Sequence, residues 1–335
     1  MELTTLCHIE EKDSYLMLHR VKKQHDINKG KWIGVGGHLE AGESPEDCLI
    51  REVKEETGLT LTHWSFRGIV TFCSNPGNYC EYMFLYTADG FEGTLSDCSE
   101  GELRWIPREK LLSLSLWEGD RIFLRLLDTG RPFFSLKLCY EDDRLCEAVL
   151  DGAALELFDI RDENGKPTGV VRERQVAHED GSLHGTAHIW IARREAGGSI
   201  SLLLQKRSAH KDAHPGCYDI SSAGHLSAGQ DFLSGALREL YEELGISAAP
   251  EDLQFLGFHR GYCEDTFYGR PFRNREISAV YLYQKPVDET GLTLQESEVE
   301  SVRWMPLEEV SAHVQAHDPL YCIWEEELTM IREVM

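Results

Sequence analysis

The chain is poor in positive charge. Its 335 residues hold 34 Lys and Arg against 58 Asp and Glu, a formal net charge of −24. A surface of that sign repels a nucleic-acid backbone, so no nucleic-acid polymer is expected as a partner. Apolar runs are short. None approaches the ~18 residues that a membrane-spanning helix needs, and no membrane partner is expected. The opening stretch MELTTLCHIEEKDSYL lacks a basic start followed by an apolar core, so it does not read as a signal peptide. Ten cysteines are scattered without a CxxC pair, which argues against a zinc site. Thiols so placed fit a reducing, cytoplasmic setting.

What is present points to two domains. The length exceeds one ordinary domain. Hydrophobic residues make up 41% and aromatics 10%, enough for packed cores. An offset of 187 aligns Gly37 with Gly224, His38 with His225 and Leu39 with Leu226. The same offset aligns Arg51, Glu52, Glu55, Glu56 and Gly58 with Arg238, Glu239, Glu242, Glu243 and Gly245. LMLHR before the first stretch and LLLQKR before the second read as buried strands. RW-x-P follows each, at Arg104–Pro107 and Arg303–Pro306. Two copies of one domain explain these matches, and the period is too long for a solenoid. The division is expected near Asp151 to Ala154, giving domains 1–152 and 153–335. ELFDIRDENGKPTGVV reads as a strand, a turn and a second strand that open the second copy. The closing stretch DPLYCIWEEELTMIREVM reads as an amphipathic helix.

The first repeat carries a helix with its own start and stop. Ser44 is a good N-cap, Pro45 suits the first helical position and Asp47 lies three residues beyond the cap. The helix should span Pro45 to Thr57, with Gly58 ending it. Glu52, Glu55 and Glu56 fall at i, i+3 and i+4, on one face. Cys48, Leu49 and Val53 supply the packing face. Like charges this close repel one another, and a merely solvated face would intersperse lysines. Clustered hard oxygens suit Mg²⁺ or Mn²⁺. An acidic surface helix would explain a bare ExxEE, but the pattern here is longer. Gly37, Glu43, Arg51, Glu52, Val53, Glu55, Glu56, Gly58 and Leu59 fill G-x5-E-x7-R-E-U-x-E-E-x-G-U, with U aliphatic.

That pattern resembles the Nudix box. The resemblance implies a divalent-metal-dependent pyrophosphohydrolase, and an α/β fold with two α/β/α sandwiches on mixed sheets in tandem. It places Glu52, Glu55, Glu56, Glu239, Glu242 and Glu243 as metal-holding, catalytic carboxylates. Gly36 joins the metal site and Gly37 the substrate site. Arg51 and Arg238 would orient the carboxylates by paired hydrogen bonds. Beyond the box, GKWIGVGGHLEAGE, LSDCSEGELRWIP, LWEGD and RPFFSLKLCYEDDRL resemble the MutT/MutX-type 8-oxo-dGTP diphosphatases. By that resemblance Trp117 stacks on a purine and Asp120 reads its edge. Core packing is the competing role for Trp117. Ile33 stands where some members carry an asparagine that contacts the oxidised base, and Ile33 cannot form that bond. Glu100 is a candidate fourth metal ligand or general base, with Glu102 its competitor. Arg20 and Lys23 are candidates for the polyphosphate. The expected partner is a small nucleotide.

The second copy departs at one box position, with Gln230 in place of Glu43's counterpart. Its three helix carboxylates remain, so metal binding is expected to remain. Glu298 is the preferred distal acid over Glu300. The wider segment resembles Nudix proteins related to isopentenyl-diphosphate isomerase, but Ala223 stands where that isomerase needs a cysteine. His184 and His225 lie where metal-binding histidines occur in those proteins, though a lone histidine is more often a polar surface residue. A different diphosphate is the expected substrate. Two other readings compete: broader hydrolysis of ADP-ribose, dinucleotides or an isoprenoid diphosphate, and a second domain that senses a ligand or forms a homodimer.

Overall fold

A computed structural model describes the chain except residues 24, 75–78, 212 and 268. Contacts divide it into two compact units. One comprises Met1–Leu157 with Val170–Val176; the other comprises Phe158–Gly169 with Ala177–Met335. The contact division thus falls five residues beyond the expected 152/153 boundary and adds Val170–Val176 to the first unit.

The first unit is built on a mixed sheet. Strand β1 (Glu2–Glu11) runs antiparallel to β2 (Ser14–His19) and parallel to β5 (Tyr79–Glu92). Next come β4 (Thr60–Ser74), antiparallel to β5, then β7 (Phe134–Glu141), parallel to β4, and β8 (Arg144–Leu150). Short β3 (Trp32–Ile33) and β6 (Glu102–Pro107) both pair with β2, and β9 (Ala153–Ala154) pairs with β8. Successive side chains of a strand face opposite ways. Cys7 and Ile9 therefore pack with Leu49 and Val53 of helix α1 (Pro45–Thr57), whereas His8 meets Phe123 of helix α2 (Glu118–Asp128) on the other face. Helix α1 has the expected bounds. The Ser44 side chain accepts from Asp47 N–H, Asp47 returns a bond to Ser44 N–H, and Gly58 takes φ 77° at the stop.

The second unit repeats the plan. Strands β10 (Leu157–Arg161) and β11 (Pro167–Glu173) flank the DENGKP turn and helix α3 (Arg174–Asp180) follows, with Leu157 and Val170–Val176 of these elements counted in the first unit. Strand β12 (His184–Arg194) is antiparallel to β13 (Ile200–Arg207). Short β14 (Tyr218–Asp219) pairs with β13, and β15 (Ser222–His225) with β12. The long β16 (Leu253–Phe267) and β17 (Arg270–Tyr283) form an antiparallel pair, with β17 parallel to β12. Strand β18 (Val299–Pro306) closes on β13. Ala187, Ile189 and Ile191 pack under helix α4 (Phe232–Leu244). The alternating Trp190 and Ala192 pack with Leu307 and Val310 of α5 (Leu307–Gln315) and Leu328 and Ile331 of α6 (Glu325–Val334). Both units are α/β/α sandwiches, and the closing helix is α6. No described helix is long and apolar enough to cross a membrane.

Candidate active sites on the two box helices

In the first unit the glycine turn lies directly over the helix. Thr5 N–H donates to Gly37 O, so the turn is tied to β1. A Cβ on Gly37 would run into the Glu52 carboxyl, and one on Gly36 into Thr5 O. Only glycine lets the turn come this close. Gly36 N–H donates to Glu56 Oε2 at 3.1 Å. Glu56 is 8% exposed, and burial with the nearby Glu52 charge pushes its carboxyl up to about 7, against the Gly36 hydrogen bond. The three box carboxylates therefore differ in depth: Glu56 is buried, Glu52 half-buried and Glu55 exposed.

Arg51 organises this set. Its Nε and Nη2 grip the two oxygens of Glu43 at 2.7 and 2.9 Å. Its Nη1 donates to Glu52 at 2.6 Å, and Nη2 also reaches His38 O. Glu43 is held low, at about 2, first by the Arg51 bonds and then by Glu40 N–H. Lys54 turns away to cap Gly58 O at the helix end.

Strands β2 and β6 bring Arg20, Lys23 and Glu100 together. Glu100 accepts from both Arg20 Nη1 and Lys23 Nζ, and Arg20 also pairs with Asp26 at 2.7 Å. The charges of Arg20 and Lys23 act on Glu56, which sets this cluster beside the box. Glu102 instead pairs with Arg104 on an exposed surface.

A second set lies at the start of α2. Trp117 is the N-cap residue, and its Nε1 donates to Asn28 Oδ1 at 2.8 Å. Lys31 Nζ lies 4.6 Å from the Trp117 ring centre, and the Tyr140 ring is 5.7 Å away, edge-on. Tyr140 in turn accepts from Gly119 N–H and packs on Phe72. Asp120 is half-buried here. Burial pushes it up to about 7, opposed by the charges of Lys31 and Arg121. Ile33 is half-buried on β3 opposite Leu18 and offers no hydrogen bond. Asn28, Lys31 and Tyr140 were not singled out from sequence. Lys31 and Tyr140 stand in the quoted runs GKWIGVGG and LKLCYEDD, but nothing in those runs says that both meet Trp117.

The second box repeats the first with one rearrangement. A Cβ on Gly224 would run into the Glu239 carboxyl. Ala223 N–H donates to Glu243 Oε2 at 3.1 Å, and burial pushes Glu243 up to about 8. Arg238 has lost its forked partner. It reaches Gln230 Oε1 only at 3.4 Å and binds Glu239 at 2.6 Å and Glu242 at 2.7 Å. Glu298 pairs with Lys211, whose charge acts on Glu243, whereas Glu300 pairs with Lys206 at the surface.

His184 and His225 are not isolated surface residues, contrary to the expectation for a lone histidine. Together with His178 their ring nitrogens lie within 4.8 Å of one another. Phe158 stacks on both His184 and His225 at 4.8 Å. Glu276 stands 3.3 Å from His225 and 3.9 Å from His184. Burial would push Glu276 up, but His225 and the neighbouring histidines hold it well below the usual carboxylate range. Three imidazoles and a carboxylate form a donor set suited to a divalent transition metal. His178, on α3, stands six residues before His184 at the start of β12, and the sequence did not single it out.

The donor chemistry of the box sites fits a divalent cation. Burial makes Glu56 and Glu243 hold a proton to higher pH than an ordinary carboxylate, and a cation would compete with that proton and favour the ionised carboxylate. Helix-borne carboxylates under a glycine turn, repeated on two sandwiches, define a class of α/β protein with acidic, metal-compatible sites. The chain belongs to the Nudix family. The NUDIX domain model matches residues 4–127 and 183–322. Nudix hydrolase 3 of Arabidopsis thaliana is 39% identical over 170 residues, covering 50% of this chain but only 21% of that protein. An oxidized purine nucleoside triphosphate hydrolase of Danio rerio is 26% identical over 129 residues, 38% of this chain and 83% of its own length. An isopentenyl-diphosphate Delta-isomerase of Pectobacterium atrosepticum is 40% identical over 90 residues, 26% of this chain and 46% of its own.

Proposed function

We propose that the chain is a divalent-metal-dependent pyrophosphohydrolase with Mg²⁺ or Mn²⁺ on each box helix. The first unit takes oxidised purine nucleoside triphosphates such as 8-oxo-dGTP, giving dNMP and pyrophosphate. The second hydrolyses a different diphosphate. The observation that carries the reading is the pair of buried carboxylates, Glu56 and Glu243, each held by a backbone N–H of the glycine turn.

When bound, the cation polarises phosphate oxygens and lowers the pKa of a water. The protein does the rest. Glu52 and Glu56 fix the cation's place, and Arg51 holds Glu52 in one orientation. Glu100 is the candidate to take a proton from the attacking water, and Arg20 and Lys23 balance the charge of the polyphosphate. Trp117 offers a flat face to the base. Asp120, at about 7, exists in both protonation states near neutrality and can donate to or accept from the purine edge. The kinship with an oxidised-purine hydrolase supports this half of the reading. Ala223 removes the thiol an isomerase would need, which favours hydrolysis in the second unit.

The test is turnover of 8-oxo-dGTP by the full chain with Mg²⁺. Glu56→Gln should abolish it, and Glu243→Gln should leave it. Intact 8-oxo-dGTP and intact ordinary dNTPs after incubation would refute the assignment of the first unit.

A further inference from the structure

The two sheets differ at one edge. In the first unit β4 is antiparallel to β5, β5 is parallel to β1, and β7 pairs along the outer edge of β4 from Gly68 to Ser74. In the second unit β16 and β17 stand in the places of β4 and β5, because β17 is parallel to β12 and antiparallel to β16. No counterpart of β7 follows. After β18 the described elements are the helices α5 and α6, and among the described residues β16 pairs with β17 alone. One side of this 15-residue strand therefore has no described strand beside it. Such an edge is a template for another strand.

The register with β17 is continuous from Gly257 to Phe267, so successive side chains alternate between the faces. Phe258, Arg260, Tyr262, Glu264 and Thr266 share one face, and all five are exposed. Glu264 accepts from Tyr262 OH at 2.8 Å and pairs with Arg273 of β17 at 3.2 Å. Arg260 donates to Glu163 O, a neutral acceptor. Two copies of β16 laid antiparallel about a two-fold axis normal to the sheet bring like faces together. A register centred on Tyr262 then sets Arg260 opposite the second copy's Glu264 and, by symmetry, Glu264 opposite the second copy's Arg260. Centring on Gly261 or Cys263 instead puts Arg260 opposite Tyr262 or Thr266 and loses both pairs. Asp265 points to the other face and cannot replace Glu264.

We propose that the chain forms a homodimer in which β16 pairs antiparallel with β16 of a second copy, centred on Tyr262. The occupant is a second copy because the charges on this edge complement themselves. Each Glu264 then lies between Arg273 of its own chain and the second copy's Arg260, and the two Tyr262 rings meet at the axis. Cross-strand ion pairs and aromatic pairs of this kind stabilise sheets. The contact uses the same patch on both copies, so it closes at two and does not grow. A net charge of −24 repels one copy from another, and the paired arginines offset that repulsion where the strands meet.

Sedimentation equilibrium of the full chain should give a reversible dimer of the 38.2 kDa chain. Arg260→Glu creates two acid–acid contacts and Glu264→Arg two base–base contacts. Each variant alone should dimerise at least about tenfold more weakly. An equimolar mixture of the two should recover the dimer, because every contact in the mixed pair is again between opposite charges. Recovery also shows that both variants are folded. Tyr262→Cys in a Cys263→Ser chain, placed on the axis, should cross-link to its own copy at position 262 under mild oxidation. A wild-type chain that stays monomeric, a dimer that neither charge reversal weakens, or a mixture of folded variants no stronger than its components overturns the proposal. Where a charge reversal fails to fold, the cross-link decides, and its absence overturns the proposal equally.

Discussion

A single carboxylate shows how burial and chemistry are linked. Glu56 titrates at about 7 when folded, against an ordinary 4.5, because protein surrounds it and Glu52 repels its charge. Between those values the folded chain holds a proton that the unfolded chain has lost. Stability therefore falls as pH rises from about 4.5 through about 7, and Glu243 extends the fall to about 8. Metal-free protein should melt lower at about pH 8.5 than at about pH 6, and Mg²⁺ should close most of the gap. Equal melting temperatures at both pH values without metal would refute the coupling. Arg51 supplies a second prediction. Its fork on Glu43 and its bond to Glu52 hold the two carboxylates together; if Glu43 acts only through Arg51, Glu43→Gln should cost about 10–100-fold in kcat/KM, as outer-shell changes do. The second unit already carries Gln230 there, and its arginine has moved onto Glu242. Loss of all turnover in Glu43→Gln would make Glu43 a direct participant.

Two helices divide the work. The cap residues of α1 were legible because their rules are local: Ser44, Pro45, Asp47 and Gly58 act within a few residues of one another. Ser44→Ala removes the bond that the Ser44 hydroxyl accepts from Asp47 N–H, keeps the one Ser44 N–H donates to Asp47, and should destabilise the first unit by about 1 kcal/mol, read as a lower urea midpoint. Helix α2 has no side-chain cap, and its start is fixed by contacts instead. Asn28 and Lys31 of one loop and Tyr140 of β7 hold Trp117, an arrangement no sequence window contains. If Trp117 and Asp120 bind the base, Trp117→Ala and Asp120→Ala should raise KM for 8-oxo-dGTP more than about tenfold while kcat falls less. A pure kcat loss would place them elsewhere in the mechanism.

Across the whole molecule, the two units share a plan and differ in the face away from the box helix. Glu56→Gln and Glu243→Gln, each in the full chain, should delete different substrates from a panel of nucleotides and diphosphates. Loss of every activity from Glu56→Gln alone would favour a ligand-sensing second unit. The sequence by itself determined the repeat and the box helices, because caps and a 23-residue pattern are signals carried by the chain itself, and the mixed-sheet class followed from the resemblance that pattern carries. It also singled out the carboxylates, but not their depths: Glu52, Glu55 and Glu56 look alike in the chain and differ only once the glycine turn closes over two of them. Tertiary structure alone decided that His178 joins His184 and His225, and that no described strand covers the outer edge of β16. Those outcomes depend on strand register and on the return of α3, long-range choices made by burial of whole sheet faces.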